Sequence, residues 1–163
     1  MDALETDRLT IRNFQADDWR ELQRIIVEYQ RTEYAQFDHP WPTDDEGIKN
    51  AVAWFMTGDG YLADCLQDSG QHIGPVAIAR RDDLPGVVHN LGYILAPWAQ
   101  GLGYATEACR AAMGYLFGEL EAERIQTGTH PSNEPSVRLL ARLGLAEVGQ
   151  GEYAISREEW LAR

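Results

Sequence analysis

Apolar and polar residues alternate in LTIRNF (9–14), and that two-residue period predicts a strand. From Asp17 or Asp18 the period lengthens, and Trp19, Leu22, Ile25, Ile26 and Tyr29 fall on one face of a predicted helix. Two prolines in FDHPWP (37–42) stop any regular helix. Thr43-Asp44-Asp45-Glu46 then has the form of a capping box, opening a helix that carries Ile48, Val52 and Phe55. Three strands are predicted next: YLADCL (61–66), HIGPVAIAR (72–80) and VVHNLGYIL (87–95). The turn-rich links DSGQ and RDDLPG between them predict an antiparallel meander. Ala105, Ala108, Cys109, Ala112, Met113, Leu116, Phe117 and Leu120 recur at helical spacing. RIQTGTH (124–130) predicts a strand, and a helix follows from Asn133 to Leu143, with Pro135 near its start and Gly144 at its stop. LAEVG and YAIS predict two short strands, and Ser156-Arg157-Glu158-Glu159 a last capped turn. The order β-α-α-β-β-β-α-β-α-β-β describes an α/β (α+β) protein: a mixed sheet with helices on both faces, in one domain over residues 1–163.

Composition adds limits. The chain has 163 residues, enough for one domain with a real core. No apolar run approaches the roughly 20 residues that a membrane helix needs. The opening MDALETDRLT is acidic where a secretory signal is basic and then apolar, so a cytoplasmic protein is expected. The net charge of −12 repels nucleic acid and anionic lipid, which bind through phosphate contacts to Lys and Arg, and it tolerates cationic partners such as amines. Cys65 and Cys109 lie in apolar surroundings without a CxxC pair, and predict two buried free thiols. His39, His72, His89 and His130 are scattered without metal-ligand spacing, so no metal site is predicted.

The chemistry concentrates in NLGYILAPWAQGLGYATEA (90–108), where Gly101 and Gly103 precede the long helix. A P-loop would carry Lys followed by Ser or Thr after its second glycine, and the only lysine of the chain is Lys49. A dinucleotide fold would carry a third glycine after the first strand of a parallel unit, which is missing here. Two readings remain. Either the glycines let a pyrophosphate reach the unpaired amides of a helix N-terminus, or they let the helix pack closely on the sheet.

Gln100-Gly101-Leu102-Gly103-Tyr104-Ala105 fits the Q/R-x-x-G-x-G/A acetyl-CoA signature, and in this the chain resembles the GNAT acetyltransferase superfamily. LETDRLTIRNFQADDW (4–19) is similar to the opening of the group that includes ribosomal-protein N-terminal-amine acetyltransferases. GYILAPWAQGLGYATEA, HPSNEPSVRLLARLGLAEVG (130–149) and YAISREEW resemble that group's later motifs in order, so the likeness covers essentially the whole chain.

The resemblance implies a largely antiparallel central sheet, splayed where acetyl-CoA lies. It implies that the coenzyme arm pairs with the strand end Ile94-Leu95-Ala96, and that the pyrophosphate meets amides from Gln100, Gly101, Leu102, Gly103, Tyr104 and Ala105. Asn133 matches a position that commonly touches the cofactor arm, and Asn is also a leading helix cap. The implied reaction is direct attack on the thioester by a neutral primary amine, of a small molecule or a protein N-terminus. A strand amide near Leu95 would face the developing negative oxygen. Many relatives carry a tyrosine where this chain has Leu140; Ser136 matches a serine proposed as the acid in the N-terminal-amine group. His89 and Tyr93 are candidates for the base, since they alternate onto one strand face. Glu107, in the first turn of its helix, reads as a dipole or structural residue. Asp38, His39 and Asp44 to Glu46 lie where relatives form the acceptor pocket, with Trp41 and Tyr34 nearby and GQGEYA (149–154) as a second wall. A monomer or homodimer is expected. A non-catalytic acyl-CoA-binding module and a plain α/β domain are the alternatives.

Overall fold

Strands β1 (Leu4–Glu5), β2 (Leu9–Asn13), β3 (Tyr61–Leu66) and β4 (His72–Ala77) form an antiparallel run in the computed structural model, which describes all residues, 1–163. The predicted 87–95 strand is the point of departure. It divides into β5 (Val88–His89) and β6 (Gly92–Tyr93), and the two halves belong to different sheets. β6 continues the first sheet by pairing antiparallel with β4, through Val76 and Tyr93. β5 turns away and pairs in parallel with β7 (Arg124–Gly128), through Val88–Arg124 and His89–Ile125. A second sheet of order β5-β7-β9-β8 results, closed by the hairpin of β8 (Ala146–Gly149) and β9 (Glu152–Ser156). A single strand has thus been shared between two sheets, and the gap between β6 and the free end of β7 is a wedge.

Helices cover both faces. α1 (Trp19–Gln30) and α2 (Asp45–Phe55) pack together on one, and α3 (Tyr104–Gly118) lies on the other beside α4 (Glu134–Leu143). Neighbouring residues of β3 show the two sides, because successive side chains of a strand point oppositely. Cys65 lies on the side of Arg12 of β2 and of Asp18 at the head of α1, and its neighbour Asp64 on the side of Cys109 of α3. Leu9, Ile11, Leu22, Ile25, Ile73, Met113 and Leu116 are fully buried between these layers. Both thiols are free and buried, as the apolar surroundings predict.

Local signals account for most boundaries. A short α5 (Arg157–Leu161) begins at Ser156, whose Oγ accepts from the Glu159 amide at 3.1 Å while the Glu159 carboxylate accepts from the Ser156 amide at 2.8 Å. Gly144 ends α4 at φ +92°, a left-handed conformation that costs glycine little. The capping box placed at Thr43 is one residue early: Asp44 caps α2, accepting from the Gly47 amide at 3.2 Å. Thr43 instead offers its carbonyl to the Gln23 side chain. α3 stops at Gly118, so Leu120 falls outside the helix, and β7 stops at Gly128 rather than 130.

Candidate active site

The wedge opens into a cavity of about 1040 Å³ that runs from the α1–α2 connection to the start of α3. Its floor is made by the end of β6. Ile94 donates its amide to Pro75 at 3.1 Å and Ala96 donates to Ile73 at 2.7 Å. Amides alternate sides along an extended chain, so the Leu95 N–H between them faces the wedge. Gly74 of β4 is required for this arrangement: a Cβ there would collide with the Ile94 carbonyl. Across the gap, Thr127 and Gly128 of β7 line the cavity.

At one end stands the N-terminus of α3. Gly101 and Gly103 adopt φ +76° and +85°, which side-chain-bearing residues rarely do. No side chain caps the helix, and its first backbone bond runs from the Glu107 amide to the Gly103 carbonyl at 3.1 Å. The amides of Tyr104, Ala105 and Thr106 therefore have no partner within the helix. Gly101, Gly103, Tyr104, Ala105 and Thr106 all line the cavity, and nothing lies near a Cβ placed on Gly101. Unpaired amides, left-handed glycines and the positive end of a helix dipole together fit a pyrophosphate.

This loop is held from outside by a network that the sequence did not reveal. Arg8, just before β2, gives its Nε to Glu107 at 2.7 Å and its Nη1 to the Leu102 carbonyl at 2.9 Å. Its guanidinium also covers the Tyr104 ring at 4.3 Å. Glu107 accepts further bonds from the Thr6 hydroxyl at 2.7 Å and the Arg8 amide at 2.8 Å. Partial burial would raise the Glu107 carboxyl, but these hydrogen bonds outweigh it and hold the group below its usual range. Glu107 is structural, and the Gln100 side chain adds a bond to the Leu95 carbonyl at 3.2 Å.

Tyr93 and Ser136 meet across the wedge, one from β6 and one from α4, and both line the cavity. Burial, with a smaller effect of the Cys109 thiol, pushes the Tyr93 phenol up to about 12, against the opposing Ser136 hydroxyl and Arg142 charge. A phenol so raised is un-ionised at neutral pH. Asn133 precedes α4 and lines the cavity, yet its side chain makes no cap hydrogen bond. Leu140 contributes apolar wall.

Several predicted residues are elsewhere. His89 is buried where the strand divides, with Nδ1 at 2.9 Å from the Ile78 carbonyl, and it does not line the cavity. The reason is the split strand, which breaks the alternation that would have placed it beside Tyr93. Ala96 is buried in the core, and Leu102 points to solvent while its carbonyl serves Arg8. Asp44 to Glu46 serve the start of α2, and the segment 149–154 forms the β8–β9 hairpin rather than a cavity wall. Ile94, Leu95, Gln100, Gly101, Gly103, Tyr104, Ala105 and Asn133 do line the cavity.

The far end of the cavity is aromatic. Tyr29, Tyr34, Phe37, Trp41, Trp54, Phe55 and Tyr61 line it together with Asp38 and His39. Phe55 stacks on Tyr61 with ring centres 4.4 Å apart, and Trp41 meets Phe55 edge-on at 6.0 Å. The Tyr29 hydroxyl donates to Asp38 at 3.4 Å; burial and that carboxylate raise the phenol far above its usual range.

A family model described as "Acetyltransferase (GNAT) domain" matches residues 8–146. Among curated proteins, the uncharacterized N-acetyltransferase YnaD of Bacillus subtilis is 26% identical, with 96% of this chain and 98% of that protein aligned. The solved ribosomal-protein-S5-alanine acetyltransferase of Vibrio fischeri superposes with a TM-score of 0.83 at 18% identity, over 98% of this chain and 99% of that one. The Mycobacterium smegmatis RimJ structure in complex with CoA-disulfide gives 0.75 at 19% identity, over 98% and 91%. At these identities the two structures share the fold with this chain.

Proposed function

The chain belongs to the GNAT acetyltransferase family, and from that premise we propose that it transfers an acetyl group from acetyl-CoA directly to a primary amine in a ternary complex. The observation that carries this reading is convergence on one cavity. The uncapped amides of α3, the outward Leu95 amide, the Tyr93–Ser136 pair and a separate aromatic end all open into it.

The residues present fit the coenzyme. The amides of Tyr104, Ala105 and Thr106 behind the glycine turn would hold the pyrophosphate, Asn133 has a free side chain beside the wedge, and the segment from β6 to Leu95 offers backbone to the arm. When bound, the coenzyme supplies an activated acetyl thioester. The Leu95 amide, turned toward the wedge, would be the donor available to negative charge developing on a thioester oxygen bound there. Tyr93, backed by Ser136, keeps a proton available for the departing sulfur. Holding both partners in one cavity supplies much of the rate. Neither cysteine is needed as a nucleophile, since both thiols are buried and raised by burial.

The test combines binding with turnover. Acetyl-CoA and CoA, but not NAD or ATP, should raise the melting temperature by roughly 5–10 °C at 100 times the dissociation constant. A primary amine added to the acetyl-CoA complex should then release free thiol. Binding without thiol release from any amine would instead identify an acyl-CoA-binding module.

A further inference from the structure

Nine of the chain's sixteen aromatic side chains line this one cavity. The protein carries 26 acidic residues, yet Asp38 is the only carboxylate in the lining. The basic residues there are His39, next to Asp38, and Arg142 in the last turn of α4. Taking the acetyltransferase reading as its basis, we infer that the aromatic end is a selective site for a small monoamine carried on an aromatic or apolar body, with Asp38 as the specificity-determining residue for its ammonium group.

Charge decides first. The overall acidity draws any cation toward the protein, but a polycation entering this chamber would have one carboxylate for several ammonium groups. The remaining charges would lie against aromatic rings with no further carboxylate in the lining, an incomplete match. An amine bearing its own carboxylate would bring that group toward Asp38, an opposing interaction that selects against free amino acids. One ammonium on an uncharged body meets neither cost.

Shape decides next. Trp41, Phe55 and Tyr61 form a continuous wall of mutually packed rings. Such a wall accepts an aromatic body by offset or edge-on contact and attracts a cation to its ring faces. Phe37, from the α1–α2 connection, stacks on His130, from the β7–α4 connection, with centres 4.8 Å apart and planes at 17°. That stack ties the two sides of the cleft together at the acceptor end. The Tyr29 hydroxyl donates to the Asp38 carboxylate at 3.4 Å, and Tyr29, Asp38 and Tyr93 line the same cavity, so the ammonium site shares its space with the reacting end. The step balances: the ammonium loses two protons, the nitrogen–acetyl bond forms as the carbon–sulfur bond breaks, and one proton goes to the thiolate and one to solvent.

The experiment measures thiol release from acetyl-CoA with phenethylamine, n-butylamine, spermidine, kanamycin, phenylalanine and an alanine-led peptide. Phenethylamine should have the highest kcat/KM, by about tenfold over n-butylamine and spermidine. Trp41→Ala should erase that preference by raising the phenethylamine KM while the acetyl-CoA KM stays constant, and Trp41→Phe should restore most of it. Asp38→Asn should raise the KM of every amine. Faster turnover of spermidine, kanamycin, phenylalanine or the peptide would overturn the assignment, as would amine KM values indifferent to both substitutions. Calorimetric binding of phenethylamine to the CoA-saturated protein separates this inference from its basis. Binding without any turnover would uphold the site and sink the transfer reaction; neither binding nor turnover would overturn both.

Discussion

Arg8 holds Glu107 at 2.7 Å across 99 positions of sequence, and in doing so anchors the glycine turn from its outer side. The same guanidinium takes the Leu102 carbonyl and lies over Tyr104, so one side chain restrains both halves of the turn. The amides that face the cavity are thereby presented by a loop fixed to the first sheet.

Glu107→Gln tests that anchoring. The substitution keeps the size but loses the charge-assisted bonds to Arg8, which are partly exposed and worth little to global stability. The KM for acetyl-CoA should rise about threefold to tenfold with kcat nearly constant, because a looser loop weakens binding more than chemistry. Steady-state kinetics at saturating amine read this out; a fall in kcat alone would contradict it.

Ala105→Asp separates the cofactor site from the helix. A carboxylate in the first turn of α3 is favoured by the helix dipole, which offsets part of the cost of placing it where Ala105 packs against the core, so the free protein should stay folded. The same charge beside the amides should repel a pyrophosphate and abolish the thermal shift with CoA. An unchanged shift would mean that the phosphates lie elsewhere.

Tyr93→Phe retains the ring and removes the hydroxyl opposite Ser136. A loss of about tenfold to hundredfold in kcat is expected, with the acetyl-CoA KM little affected. Joint action of the two hydroxyls predicts that Ser136→Ala added to Tyr93→Phe should cost far less than the product of the two single effects. Multiplicative losses would assign them separate roles.

His72 predicts a pH dependence of stability. It is fully buried, with Nδ1 at 3.2 Å from the Asp64 carbonyl and its ring edge-on to Phe14. Burial drives its pKa from 6.5 down to about 4, against the opposing Asp64 carbonyl and Asp18 charge. Between those values the unfolded chain binds a proton that the folded one refuses. Stability is therefore intact above about pH 7 and declines as pH falls from 6.5 towards 4, by up to about 3 kcal/mol. Denaturant unfolding at pH 7 and pH 5 should show a larger loss for the wild-type protein than for His72→Leu; equal losses would rule out His72 as the cause.

By itself the sequence determined the elements and the glycine turn. Periodicity located the strands and helices, because amphipathic spacing is set by which face must be buried, and local caps such as Ser156 and stops such as Gly144 need only their neighbours. The glycine turn was legible for the same reason: left-handed backbone at Gly101 and Gly103 is a local demand that few other residues meet. The division of 87–95 between two sheets was not legible. Each half is apolar enough for a strand, and only the competing partners β4 and β7 decide where the chain must split. That split removed His89 from the site and left Tyr93 facing Ser136. The Arg8–Glu107 anchor and the gathering of aromatic rings around Asp38 were likewise decided in three dimensions. They join residues far apart in the chain, and no period or motif records which distant side chains a folded sheet will bring together.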